Sequence, residues 1–443
     1  MPKRTARLSF LTGSPELGRG GLLCALALLL LPNATFAKNA KTNSVPVSSL
    51  APQNWGGGAS SIPTYGPWRS CLIGGGGYLQ NVVPCPTNPK RYYTYIDVGG
   101  LARSDDGGRS WRMLHGGLPA KEANYQVRGL VVDPRNDAKI IIATGSQWSG
   151  DGGIFTSDDA GQTWRKTLDA RFMGNGPERW TGFILARHPK NPDVLVAASE
   201  GTGLWRSADN GQTWQSLGLT DLHPTDLKFD KTNPQRLWLC TAPFDGYLGG
   251  KQVKLGAGFY RSEDGGKTWA KLADMSPTEI LQDPSDPTHL LGIVKSTLQI
   301  SRDAGSTWQA FDDGLPPRTS QSGPADDQFN ALAAGPDFVL TASSKGTFYK
   351  LPSGQTHWQK IDRQGVQEVY EGQEWFRHKT GGMGSALGSI TVDPRDPNHW
   401  FFTDWFAIYQ TPDAGLHWQL SIDGIEDTVL HDITQDPTDP GVV

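Results

Sequence analysis

Five copies of one eight-residue phrase recur along this chain: Ser, any residue, Asp, any residue, Gly, any residue, Thr or Ser, Trp. They read SDDGGRSW (Ser104–Trp111), SDDAGQTW (Ser157–Trp164), SADNGQTW (Ser207–Trp214), SEDGGKTW (Ser262–Trp269) and SRDAGSTW (Ser301–Trp308). Two weaker copies, LPSGQTHW ending at Trp358 and TPDAGLHW (Thr411–Trp418), extend the series to seven, with the tryptophans 39 to 60 residues apart. A period in that range marks a repeat architecture in which each unit is one supersecondary element. Seven such units predict an all-β fold, a seven-bladed β-propeller of four-stranded blades with Asp-box turns.

Each unit has the same internal order. An apolar strand enters a Pro-rich turn, a second strand follows, then a variable link, a third strand, the Asp phrase and a closing strand that starts at Trp. The second unit shows it whole: VRGLVV, DPRNDA, KIIIAT, GGIFTS, SDDAGQTW, RKTL. Pro presets φ while Asp or Asn bonds the nearby backbone, so DPSDP (Asp283–Pro287) and DPRDP (Asp393–Pro397) read as hairpin turns. In the Asp phrase the carboxylate can accept backbone N–H groups, the Gly supplies a positive φ and the Trp packs between sheets. The repeated Asp and Trp residues are thereby assigned to the fold and not to a site. The composition agrees: 54 Gly, 31 Pro and 16 Trp suit short strands joined by tight turns.

The N-terminus reads as an export signal. Lys3, Arg4 and Arg7 precede the apolar run Gly21–Leu31, and Thr35-Phe36-Ala37 offers small residues for cleavage after Ala37. Eleven apolar residues are too few to span a bilayer. Secretion or a periplasmic location is therefore expected, with residues 1–37 removed, 38–67 a leader, 68–424 the propeller, and 425–443 an incomplete eighth unit or a ring-closing strand. Cleavage removes four basic residues and Glu16, leaving the chain more acidic than its full-length formal charge of −4. An acidic exported chain is not expected to bind nucleic acid or an anionic membrane. Cys71 and Cys85 flank one strand-like segment and could pair in an oxidising compartment, whereas Cys240 reads as a buried free thiol. No Cys/His cluster points to a metal, and no cofactor is implied.

Chain direction separates the two faces of such a ring. The Pro turns and Asp phrases share one face and barely vary in length. Links from the second to the third strand, and from blade to blade, share the other face and hold the insertions, as binding loops on a rigid scaffold do. Trp148, Trp180, Phe244, Tyr247, Tyr370, Trp375, Phe376 and Trp405 lie there, with Glu178, Asp245, Glu371 and Glu374 among them. Aromatic rings stack on the C–H faces of a polysaccharide while carboxylates bind its hydroxyls, so Trp148, Trp180, Tyr247, Trp375, Trp405, Glu178 and Glu371 are the substrate-binding candidates. About half of the aromatics are expected only to pack the loops. Asp97 and Asp404 occupy one equivalent place, nine residues before Asp106 and Asp413. A carboxyl pair is what glycosidic cleavage requires, and a separation of about 6.5–9.5 Å would indicate inversion. A role in bonding a local turn is the simpler reading of Asp404.

IGGGGYLQNVV from Ile73, followed by TYIDVGGLARS, resembles the start of the catalytic region of glycoside hydrolase family 74, the xyloglucan-cleaving enzymes. The likeness resumes at LGSITVDPRDPNHWFFTDWFAIYQTPDAG (Leu387–Gly415) and DGIEDTVLHDI (Asp423–Ile433), and covers roughly residues 68–443. The Asp phrase alone is shared with sialidases and sortilin-type receptors; the GGGG and D-x-G-G blocks are more specific. Family members resemble two tandem seven-bladed propellers that each give one catalytic Asp to a cleft between them. The resemblance assigns the N-terminal one to Asp97, with Gly99 and Gly100 keeping its block. After Trp418 an eighth unit begins, and this sequence holds no second propeller with its Asp; the chain is expected to be either the first half of a longer enzyme or a one-propeller relative that binds without cleaving. Two functions follow as expectations. One is an exported xyloglucan or β-1,4-glucan hydrolase using Asp97, with Asp404 as a substitute partner. The other is a non-catalytic propeller that binds glycan or protein across the same face.

Overall fold

Val127–Asp133 and Asn136–Gly145 place β-branched residues on both sides of a Pro-containing turn, and they pair antiparallel as that pattern dictates. The same event happens seven times. A computed structural model describes residues 77–425 apart from 115, 150, 180–181, 317–327, 345, 368–387 and 405–406. Within it stand seven antiparallel meanders, spanning 79–113, 127–168, 185–218, 224–273, 279–310, 329–361 and 390–420. Their first strands pack on one another in cyclic order, and that of blade seven packs on that of blade one. The ring is therefore a closed seven-bladed propeller.

Two features depart from a plain four-stranded count. Phe244–Leu248 and Lys251–Leu255 form an extra hairpin inside the link between the second and third strands of blade four. Gly365–Gln367 pairs in parallel with His417–Leu420, giving blade seven a fifth strand. These three residues, at the start of the link between blades six and seven, lie along the outer edge of blade seven and cover backbone groups that an edge strand would leave open.

The Asp phrases make the hairpin turns assigned to them. In blade two Asp159 Oδ1 accepts the amides of Gln162 and Thr163 at 2.9 and 2.8 Å, and Oδ2 accepts the Thr163 hydroxyl at 2.6 Å. Ser157 Oγ donates to Asp159 Oδ1 and accepts the Gly161 amide. The turn contains two successive left-handed residues, since Ala160 (φ 59°) precedes Gly161 (φ 89°). The tryptophans then pack between blades: Trp111 is buried with Trp418 and Ile422 of blade seven, and Trp358 with Phe311 of the preceding blade.

The joint that closes the ring matches an internal one. Asp313 O accepts the Trp358 amide at 2.8 Å between blades five and six; Asp423 O accepts the Trp111 amide at 2.7 Å between blades seven and one. Among the described residues the four strands of blade one all come from 79–113; residues 426–443, on which the eighth unit or ring-closing strand was expected, lie outside the described residues.

At the hub, the innermost strands have one unpaired edge each, and polar side chains serve it. β-Bulges at the start of the first strands of blades one, two and six fall on Gln80, Arg128 and Asn330, whose side chains reach toward the next blade. Gln80 donates to Val127 O and Arg128 to Gly182 O, while the Asn330 side chain accepts the Gly388 amide at 2.7 Å. Asp226 accepts the amides of Phe183, Leu227 and Ile280, which belong to blades three, four and five. Cys85 and Cys240 are buried free thiols, the latter as its apolar strand implies; Cys71 lies outside the described residues. No helix among the described residues is long and apolar enough to cross a membrane.

Candidate functional site

Second strands end on the face that carries the insertions, and three of the seven deliver a carboxyl group there. Asp97 follows Tyr92–Ile96, Glu200 follows Leu195–Ser199 and Asp404 follows Asp396–Thr403. Asp97 and Asp404 are the expected pair. Glu200 is an addition whose signal was available: it too stands nine residues before the Asp of its phrase, Asp209. Reading the repeats for aspartate alone passes it over.

Asp97 is almost fully buried, with 5% of its surface exposed. Its Oδ1 accepts the Tyr78 amide at 2.8 Å, and its own amide donates to Tyr78 O at 3.1 Å. Oδ2 is ion-paired with Arg179 Nε at 3.0 Å. The Arg179 guanidinium lies 5.5 Å from the centre of the Tyr78 ring. Burial pushes the Asp97 carboxyl above its ordinary value, while the Tyr78 amide and Arg179 pull against that rise. Tyr78 lies within reach of the charges of both aspartates. Its phenol is raised well above the usual range, first by burial, and the charges of both Asp404 and Asp97 add to the rise.

Asp404 has no exposed surface. Its Oδ1 accepts the Ala407 amide at 2.9 Å while its own amide donates to Ala407 O at 3.0 Å. That is the local turn weighed for it from sequence. Glu200 is anchored differently: Oε2 accepts the Met173 amide at 3.0 Å, and its own amide donates to Arg171 O at 3.1 Å. Complete burial raises its pKa to about 7, against the pull of Arg128. Glu178 is half-buried and likewise raised by burial, with Arg128 opposing. Arg128 is thus the shared cation of this mouth, donating to Thr225 O at 3.2 Å and to Glu178 O at 3.4 Å.

Trp148 and Tyr247 are 65% and 52% exposed, and only Leu416 joins them as a large exposed hydrophobic among the described residues. Their supports touch, because the Gly249 amide at the tip of the blade-four hairpin donates to Gln147 O at 3.0 Å. The hairpin stands on a small core of its own, in which Phe244, Leu248 and Leu255 pack against Met173. Phe244 therefore belongs to the aromatics that only pack the loops. Asp245 is exposed on the same hairpin. Trp180, Trp375, Trp405 and Glu371, with Tyr370, Phe376 and Glu374, lie outside the described residues. Among the described residues no group of three or more His, Cys, Asp or Glu side chains is placed to hold a metal ion.

No family model matches the chain. Curated relatives do. A xyloglucanase of Acetivibrio thermocellus is 32% identical over 222 residues, covering 46% of this chain and 26% of that protein. A xyloglucanase of Hypocrea jecorina is 24% identical over 445 residues, covering 84% of this chain and 52% of the relative. The chain thus spans about half, or less, of the length of these relatives. Among solved structures, the family 74 xyloglucanase from Xanthomonas campestris superposes with a TM-score of 0.64 at 21% identity, over 81% of this chain and 56% of that one. In sequence this chain is a relative of the xyloglucanases of glycoside hydrolase family 74, and in fold it is similar to them.

Proposed function

We propose that this chain is an exported, polysaccharide-active protein that hydrolyses xyloglucan or a related β-1,4-glucan, with Asp97 as one reacting carboxylate. The observation that carries the proposal is the placement of Asp97. It lies on the insertion-rich face, held by two partners, in a chain similar to xyloglucanases. Burial lifts the Asp97 carboxyl above its ordinary value while the Tyr78 amide and the Arg179 guanidinium hold that rise in check, which suits a group that takes a proton from water. Inverting hydrolysis needs that water to attack the anomeric carbon from one side while a second carboxylic acid protonates the departing oxygen from the other. Asp404, which shares Tyr78 with Asp97, is the candidate within this chain; the family resemblance points instead to an Asp from a second propeller. Trp148 and Tyr247 provide the exposed rings on which sugar faces can stack; Glu178, beside Arg179, is a further candidate, and Trp180, Trp375, Trp405 and Glu371 remain candidates from the sequence alone. Residues 1–37 act as the export signal.

The test is reducing-sugar release from xyloglucan by the full chain. Release that falls at least 10³-fold in Asp97→Asn supports the hydrolase reading. Glycan binding without release from the wild type would replace it with the non-catalytic reading, and unchanged activity in Asp404→Asn would remove Asp404 as the partner.

A further inference from the structure

We infer that Arg179 is the positioning residue of Asp97: from the link after blade two, it holds the blade-one carboxylate ionised and oriented, and so sets the lower pH limit of the site. The inference builds on the reading of Asp97 as the reacting group.

A nearly buried carboxylate is costly unless it is paired and hydrogen-bonded. Asp97 has both supports, and they come from different parts of the ring. Tyr78, immediately before the first strand of blade one, fixes Oδ1 through its amide. Arg179 meets Oδ2 from a link that follows blade two. Each oxygen thus faces a different partner, one an amide and the other a guanidinium.

The guanidinium is itself held in place. Arg179 Nη1 donates to Gly176 O at 3.1 Å, and the group packs over the Tyr78 ring. The link is pinned to the scaffold at three further points: the Met173 amide on Glu200 Oε2, the Gly174 amide on Gly145 O and the Gln80 amide group on Gly174 O. The link could have tied blades together through these backbone contacts alone. Sending a charged side chain onward to Asp97 adds something they do not supply, a counter-charge at a defined oxygen.

Other groups around Asp97 do not substitute for it. Tyr78 presents a phenol whose proton is retained, and beyond it stand Asp404, which repels negative charge, and Arg128. Arg128 is engaged with the carbonyls of Gly182, Glu178 and Thr225. Glu178, next to Arg179 in the chain, adds a further acid on this side. Arg179 is accordingly the cation in direct contact with Asp97 among the described residues. A lysine would carry the charge without the planar fork that both bonds Gly176 O and meets the carboxylate.

The experiment is a carboxyl-carbon NMR titration of Asp97 in the full chain, with the resonance assigned by its loss in Asp97→Asn, run on wild type, Arg179→Met and Arg179→Lys. The acid limb of kcat/KM on xyloglucan is measured beside it. The expected result is a tenfold or larger rise in the proton affinity of Asp97 in Arg179→Met, a smaller rise in Arg179→Lys, and an acid limb displaced upward by the same factor. An Asp97 midpoint that stays put in a folded Arg179→Met variant overturns the inference, even where melting temperature falls, because that is the result of a tether alone. Should Arg179→Met not fold, Arg179→Gln, which also removes the charge, takes its place, and an unmoved midpoint in it overturns the inference equally. A wild type that releases no sugar defeats the hydrolase reading and leaves the titration to decide the role of Arg179.

Discussion

At the scale of single residues, the site is made of carboxyl groups that one repeat position treats in three ways. Asp97 is ion-paired, Asp404 is folded into a turn, and Glu200 is fully buried with its pKa raised to about 7. The last of these has a pH signature. Glu200 has a native pKa of about 7 against an ordinary 4.5, so between those values the folded chain binds a proton that the unfolded chain has released. Stability is therefore full below pH 4.5 and is lost as pH rises towards and past 7. Glu200→Gln keeps an oxygen for the Met173 amide and removes the titration. It is expected to match the wild type within about 0.5 kcal/mol at pH 4.5 and to exceed it by about 2–3 kcal/mol at pH 8, read from urea midpoints. A gain that is the same at both pH values would show that Glu200 does not hold a proton. Asp97 was legible in the sequence because its D-x-G-G block and its offset from Asp106 are both local patterns. Arg179 was not, because its pairing depends on how a blade-two link crosses to blade one, and no spacing records that. Glu200 lay in plain view at the same offset, hidden only by the expectation of aspartate.

At the scale of the element, the Asp phrase is a loop solved by its own side chains. Its Asp, Ser, Thr and Gly were all readable, since each has one job within a few residues. The residue before the Gly was not read as special, yet it adopts a left-handed φ in each well-formed copy, including Ala304 (55°) and Ala414 (57°). An alanine there costs about 1 kcal/mol relative to a residue without a Cβ. Ala304→Gly is accordingly expected to raise stability by about 0.5–1 kcal/mol, a gain reduced by the extra freedom of the unfolded chain. In the opposite direction, Asp159→Ala strands the amides of Gln162 and Thr163 and should cost about 1–3 kcal/mol by thermal or urea unfolding. The sixth unit shows why the phrase tolerates decay: Gly354 (φ 76°) still makes the turn, and the Ser353 amide bonds Asp337 O at 2.8 Å. The hairpin of blade four was recognised only as an insertion, because its apolar residues find their partner in Met173, on a different link.

At the scale of the whole molecule, blade count and face assignment followed from the repeat period, whereas the closing joint depends on contacts between segments far apart in the chain. Gly424 sits in that joint at φ 82°, and a methyl group there would lie 1.9 Å from Trp111 O. Gly424→Ala should cost about 3 kcal/mol or more, combining a left-handed backbone with a clash against a carbonyl. Gly250 provides the control, with a similar φ of 78° and nothing within 4 Å of the added atom, so Gly250→Ala should cost only about 1 kcal/mol. Equal losses at the two positions, compared by calorimetry, would show that the joint yields freely. The hub has its own consequence. Asp226 accepts amides from three consecutive blades with one carboxylate, at 2.8 Å from Phe183, 3.0 Å from Leu227 and 2.9 Å from Ile280. An opening at the hub that displaces the Asp226 carboxylate is expected to release all three amides at once, Leu227 losing its 2.7 Å bond to Phe183 O with it. Their exchange clocks should therefore tick together, three residues distant in the chain reporting one event at the axle of the wheel.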